Sequence, residues 1–211
     1  RQSLDVPALP FYIAWNPSGR QLAYLSNWQA IDGPSIALRL VDVQAAGNTA
    51  TTLASGQPLY FSWSPSGDRL LAHVDNERVE VYDLDGGAES LVISGGAFPA
   101  PYWSPLGEEL VFAVADERMQ RLLLTDLAGQ PLQSLTDFSG RVTFSLSPDG
   151  ARVAYIATEE AMTATTLGPL YVVETDSLRT RELTNNPVLA FFWSPDGSKL
   201  AFLALEAVNG R

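Results

Sequence analysis

The 211-residue sequence predicts an all-β fold, a β-propeller of four-stranded blades. Three observations lead there. One five-residue pattern recurs five times, apolar strand-like runs flank every copy, and no stretch has helical periodicity.

The pattern reads Trp15-Asn16-Pro17-Ser18-Gly19, Trp63-Ser64-Pro65-Ser66-Gly67 and Trp103-Ser104-Pro105-Leu106-Gly107. Two further copies are Leu146-Ser147-Pro148-Asp149-Gly150 and Trp193-Ser194-Pro195-Asp196-Gly197. Successive copies lie 48, 40, 43 and 47 residues apart. Proline presets φ for the first central position of a tight turn, glycine accepts positive φ, and Ser, Asn or Asp bond the turn backbone. Leu22, Leu70, Leu110, Val153 and Leu200 follow each glycine by three residues, so every copy reads as a β-hairpin.

Two more strand-like runs follow each of the first four hairpins. They are 36–43 and 49–53, 78–84 and 89–93, 119–127 and 131–135, and 170–174 and 180–183. Four short strands every 40–45 residues or so is the propeller period. The blades fall at approximately 11–54, 59–94, 99–136 and 142–184, with a partial fifth at 188–211. Residues 1–211 thus read as one incomplete propeller domain, four blades complete and part of a fifth visible. Trp15, Trp63, Trp103 and Trp193 are expected in its core, with Leu146 as the smaller substitute, and the motif residues read as fold-building.

Composition narrows the function classes. Apolar residues make up 46%, enough for a real core, and charged residues 18%, without a long charge run. The net charge is −11, and Lys199 is the single lysine among 13 basic residues. An acidic chain without a basic stripe argues against nucleic acid and against an anionic membrane surface. Without cysteine there are no disulfides, thiol nucleophiles or cysteine zinc sites. No apolar run reaches the length of about 18 residues that a spanning helix needs, so no membrane insertion is expected.

With Trp193-Ser194-Pro195-Asp196-Gly197 followed by Lys199-Leu200-Ala201-Phe202, the repeat resembles that of TolB-type propellers, and the resemblance covers essentially the whole chain. Such repeats occur in periplasmic scaffolds of the Tol–Pal system and in the propellers that cap prolyl oligopeptidase-like serine peptidases. The resemblance therefore implies a periplasmic or extracellular setting and a protein partner. It leaves two roles open: a non-catalytic binding scaffold, or the substrate-gating cap of a hydrolase whose catalytic domain lies outside this chain. A ring of this type is expected to continue past Arg211 to about six blades, with residues 1–6 supplying an outermost strand of the last blade.

A partner is expected on the loop face, because loops escape packing constraints. The loops joining second to third strands read as short around Asp75-Asn76-Glu77 and Asp116-Glu117-Arg118. They read as long at 27–35, with Trp28 and Asp32, and at 158–168, with Glu159, Glu160 and Met162. Trp28, Asp32, Glu159, Glu160 and Met162 are the candidate partner-binding residues. Trp28, the one Trp outside the motif, is either an anchor for a partner or folded over its own loop. The carboxylates Asp75, Glu77, Asp116, Glu117, Glu159 and Glu160 are either solvated or, if they converge, a place for Ca²⁺. No cofactor is otherwise called for.

Catalytic signatures are missing. The single histidine, His73, sits in a strand-like run, and no Gly-x-Ser-x-Gly elbow accompanies it. One histidine makes a poor zinc site, and neither a Walker loop nor a dinucleotide fingerprint occurs. The sequence thus predicts no catalytic residue and no enzyme activity within these residues.

Overall fold

Each copy of the motif folds as the same turn, for reasons local to its residues. In the computed structural model, which describes residues 8–31, 33–44, 49–84, 93–94, 100–115, 120–158 and 167–205, all five motif glycines have φ between +69° and +80°. Each glycine N–H donates to the carbonyl three residues earlier at 2.8–3.0 Å. Ser64, Ser104, Ser147 and Ser194 then accept, at Oγ, the N–H five residues on, at 2.9–3.1 Å. Asn16 does the same through Oδ1 for Gln21, at 3.2 Å. The polar residue before proline thus seals the turn from inside, while φ > 0 falls on the residue without a Cβ.

The chain divides into two units, Arg1–Gly96 and Ala97–Arg211. The first holds two antiparallel meanders. One comprises β1 (Pro10–Trp15), β2 (Gln21–Ala30), β3 (Gly33–Asp42) and β4 (Thr51–Gly56), and the other β5 (Leu59–Trp63), β6 (Arg69–Val74), β7 (Arg78–Asp83) and β8 (Ile93–Ser94). Alternate residues of facing strands fill the space between these sheets. Ala23, Leu25 and Leu38 meet Phe61, Leu70, Ala72 and Val74. Burying a side chain such as Phe61 contributes about 1.5–3 kcal/mol. Tyr12 packs edge-on against Phe61 at 5.3 Å.

Polar groups close the outer part of the same seam. Arg78 donates from Nε to Glu80 Oε1 at 2.7 Å and from Nη1 to Asp75 Oδ2 at 3.3 Å. The Tyr82 hydroxyl bonds Glu80 and the Leu53 carbonyl of β4. Burial and the neighbouring Glu80 carboxylate push the Tyr82 phenol well above its ordinary range.

The second unit holds a four-stranded meander of β9 (Tyr102–Trp103), β10 (Glu109–Ala115), β11 (Gln120–Asp126) and β12 (Pro131–Asp137). Its other sheet has five strands: β13 (Arg141–Leu146), β14 (Arg152–Thr158), β15 (Gly168–Glu174), β16 (Thr180–Trp193) and β17 (Leu200–Ala204). Strand β16 does double duty. Its first half pairs with β15 and its second half with β17, so the runs 180–183 and 188–193, expected as separate strands of two blades, are continuous. Val111, Leu122 and Leu135 pack against Phe144, Leu146 and Val153, and Ile156 and Leu170 pack against Val188 and Phe191.

The tryptophan expectation needs correction. Leu146 is buried, but Trp63, Trp103 and Trp193 are only half-buried, and Trp15 is 56% exposed. Trp63 and Trp193 pack against the edge of the core in their units and serve as joints as well. Trp63 Nε1 donates to the Ala14 carbonyl at 3.2 Å, and Trp193 Nε1 to the Ser145 carbonyl at 3.1 Å. In both cases the acceptor is the residue before the anchor position of the preceding hairpin. Trp15 lies on the first sheet of its unit and has no such acceptor among the described residues.

Candidate functional site

The hairpin of β2 and β3 is longer than its neighbours, and this sets the geometry of the rim. Strand β1 stops pairing at Ser26 and β4 at Ile36. The ladder between β2 and β3 runs on through Trp28↔Ser35, Gln29↔Pro34 and Ala30↔Gly33. The segment expected as a loop from Asn27 to Ser35 is therefore a two-stranded ribbon with a tight end. The error has a physical source: Gln29, Asp32, Gly33 and Pro34 look like loop residues, yet proline and glycine are tolerated where no third strand needs their N–H. On the second sheet the hairpin ends flush, with Leu59, Val74 and Arg78 in register.

Trp28 sits on this ribbon, 41% exposed, and Ile31 at its end is fully exposed. The indole is held from beneath by its own hairpin, with the Arg39 guanidinium carbon 5.1 Å from the ring centroid. Arg39 also donates from Nε to Ser26 Oγ at 3.2 Å. One face of the ring is fixed inward by a cation–π contact, and part of it stays open to solvent.

Asp32, Glu159, Glu160 and Met162 lie outside the described residues, as do Asp116 and Glu117. Of the remaining rim carboxylates, Asp75 is committed. It pairs with Arg78 and accepts the Gln57 N–H at 2.7 Å. Glu77 is exposed. Among the described residues, no three His, Cys, Asp or Glu side chains come together as a metal site.

His73 is buried in β6, 3% exposed, and its Nε2 has no hydrogen-bond partner. Burial holds its pKa below the usual imidazole value, so the ring is neutral at pH 7. His73 is thus a buried strand residue whose Nε2 has no partner among the described residues.

Besides a smaller cleft of about 410 Å³ beside Arg152, Glu174 and Arg181, two clefts open among the described residues of the second unit. One, of about 590 Å³, has a mixed lining that includes Tyr102, Thr143, Phe144, Leu189, Phe192 and Trp193. Most of these residues belong to strands that open their hairpins. The other, of about 920 Å³, lies among the motif turns, with Leu106, Glu108, Glu109, Asp149 and Asp176 at its wall. Neither was legible in the sequence, because each is assembled from different repeats. The signal available was the apolar residue next to each motif anchor, such as Phe192 beside Trp193.

No protein-family model matches the chain. The chain is 22% identical over 222 aligned residues to dipeptidyl-peptidase 5 of Porphyromonas gingivalis, covering 98% of this chain and 31% of that protein. The chain thus spans under a third of this curated relative's length. Among solved structures, TolB from Acinetobacter baumannii superposes with a TM-score of 0.60 at 19% identity, over 90% of this chain and 48% of that one. The β-propeller domain of Cps50 (Swd1) from Myceliophteria thermophila superposes with a TM-score of 0.57 at 14% identity, over 99% and 70%. At these identities the likeness shows the fold, a propeller-type arrangement of antiparallel sheets shared by TolB-like and WD40-like proteins.

Proposed function

We propose that residues 1–211 belong to a β-propeller domain that serves as a protein-binding or scaffolding module outside the cytoplasm. In this reading it has no catalytic centre of its own. The β2–β3 ribbon carries the proposal. It exposes Trp28 and Ile31 past the last residues that β1 and β4 support. An unsupported two-stranded ribbon is marginal in water, and exposed aromatic side chains are frequent anchors of protein interfaces. Asp32, Glu159, Glu160 and Met162 complete the rim in this proposal. The likeness to TolB supports both the scaffold role and the extracytoplasmic setting.

One observation favours a second reading. The match to dipeptidyl-peptidase 5 takes in nearly all of this chain. In that reading the propeller is the substrate-gating cap of a prolyl oligopeptidase-like serine hydrolase, with all chemistry encoded elsewhere.

Two experiments on the natural full-length polypeptide separate them. A photo-crosslinking residue at position 28 or 31 should trap a discrete protein partner, and the same residue at position 178, on the exposed β15–β16 turn, should not. Labelling with a fluorophosphonate should fail for the scaffold. Stoichiometric labelling of a serine would overturn the scaffold reading in favour of the cap.

A further inference from the structure

The clefts of about 920 Å³ and about 410 Å³ in the second unit are built from equivalent positions of successive repeats. Counted from each motif glycine, Glu109 stands where Arg152 stands in the next repeat, and Leu146 stands where Trp193 does. Cross-strand register extends the match. Val111 pairs with Leu124 as Ala154 pairs with Val172, and Leu124 pairs with Gln133 as Val172 pairs with Arg181. The larger cleft lies between two sets of four paired strands, β9 to β12 and β13 to β16.

In the smaller cleft the chain fills this place itself. The Arg152 guanidinium carbon lies 5.4 Å from the centroid of the Trp193 ring. Arg152 also donates from Nη2 to Asp149 Oδ2 at 3.2 Å and to the Gly197 carbonyl at 2.8 Å. The larger cleft has neither half of that pair. Leu146 supplies no ring, and Glu109 puts a partly buried anion at the place of the cation. Leu106 stands where Asp149 stands in the next motif, and its side chain is 83% exposed on the cleft wall. Glu109 forms no ion pair with any described residue. Asp149 and Asp176 join it on the wall, and no described Lys or Arg lines the cleft. Two departures from the repeat, Leu106 and Leu146, thus meet in one concave space with a single sign of charge.

We propose that this cleft binds a small aromatic cation, a flat ring with an ammonium or guanidinium group on a short stem. The ring takes the place of the missing indole against Leu124 and Leu146, and the cation pairs with the Glu109 carboxylate. Such a ligand supplies from outside the ring and the cation that Trp193 and Arg152 supply from within the chain. A concave site of about 300–1,000 Å³ with apolar walls and a few charged groups suits a small molecule. A cation without a ring would leave the leucines in water, and a ring without a cation would leave Glu109 unpaired. The inference is independent of the protein-binding reading, because the ribbon that carries Trp28 contributes no residue to this cleft.

The test follows the methyl resonances of Leu106 and Leu132, both on the cleft wall, in the natural full-length polypeptide. The probes are tryptamine, butylamine and indole-3-acetate. Tryptamine should shift both leucines saturably. Butylamine has the cation without the ring, and indole-3-acetate has the ring with the opposite charge. Each should bind at least about tenfold more weakly than tryptamine. Glu109→Gln, which keeps the size of the side chain, should weaken tryptamine by about tenfold. Leu146→Trp should abolish the tryptamine shift while the protein still melts cooperatively, because the chain then fills the place as it does at Trp193. Butylamine binding as tightly as tryptamine would overturn the ring's place and leave only attraction to an acidic surface. No saturable shift with tryptamine, or unchanged tryptamine binding in Glu109→Gln or Leu146→Trp, would overturn the site.

Discussion

The indole nitrogen of Trp63 lies 3.2 Å from the carbonyl oxygen of Ala14, and this bond joins the inner strands of the two sheets of the first unit. Trp193 repeats the bond to Ser145 in the second unit. The motif tryptophan is therefore a link between consecutive hairpins, and its worth depends on whether a preceding hairpin receives it. Trp63→Phe keeps most of the apolar contact but leaves the carbonyl without its indole donor, a loss of about 1 kcal/mol. Trp15→Phe, at a position with no acceptor among the described residues, should stay within about 0.5 kcal/mol of wild type. Urea unfolding of the two variants decides the matter. Equal midpoints would show that the bond contributes nothing.

The same joint makes one glycine more demanding than another. Gly19 and Gly67 occupy the same place in the turn, at φ +71° and +80°. A Cβ on Gly19 would meet nothing within 4 Å, whereas one on Gly67 would come within 2.8 Å of the Pro17 ring carbon Cδ. Gly19→Ala should cost about 1–2 kcal/mol from left-handed backbone alone. Gly67→Ala should add about 1–3 kcal/mol of overpacking, because a proline ring cannot rotate aside. The check is the difference in unfolding free energy between the two alanine variants. A difference near zero would mean that the seam relaxes freely.

The reach of the sequence follows from where each feature is encoded. The turns were legible because Pro, Gly and a hydroxyl or amide side chain act within five residues, and the structure reproduces that turn five times. The hairpins were legible from alternation, as with Leu70, Ala72 and Val74 on one face of β6. Trp15 was misjudged because burial of a motif tryptophan depends on a neighbouring sheet, which local pattern does not encode. The ribbon from Asn27 to Ser35 was misjudged because a ladder outside a sheet accepts residues that signal a loop inside one. The contact of Arg39 with Ser26 and Trp28 was invisible for a third reason. Sequence shows polar and charged residues, but only cross-strand register shows which of them meet.

The Glu80 cluster should behave as a coupled unit. Glu80 is buried and shares its carboxylate between Arg78 and Tyr82, while the Tyr82 hydroxyl also reaches the Leu53 carbonyl. Glu80→Gln leaves Arg78 without its nearest anion. Arg78 is about a third exposed, so water screens part of the loss, and a cost of about 1–3 kcal/mol is expected. Tyr82→Phe should cost about 1 kcal/mol. A double-mutant cycle should give a combined cost that departs from the sum, since both changes alter the one bond between positions 80 and 82. Strict additivity would contradict the shared hydrogen bond.

Acidification should reveal His73, because it is the chain's single histidine. Its folded pKa is depressed by burial, while in the unfolded chain it titrates near 6.5. Above that pH both states are neutral and the residue adds no pH dependence. As pH falls below about 6.5 the unfolded chain takes up a proton that the folded chain refuses, so stability declines until the lower folded pKa is passed. Carboxylates such as Asp149 and Asp196 act in a separate window. Serine and backbone hydrogen bonds hold both below the ordinary value, Asp196 at about 2, so their contribution is present above about 4 and is lost only as pH falls through their folded values. The urea midpoint should therefore drop between pH 7 and pH 5 in the wild type. In His73→Leu, which fills the same strand position without a titrating group, it should stay flat over that range. A slope that survives His73→Leu would assign the acid sensitivity to other groups and remove His73 from the account.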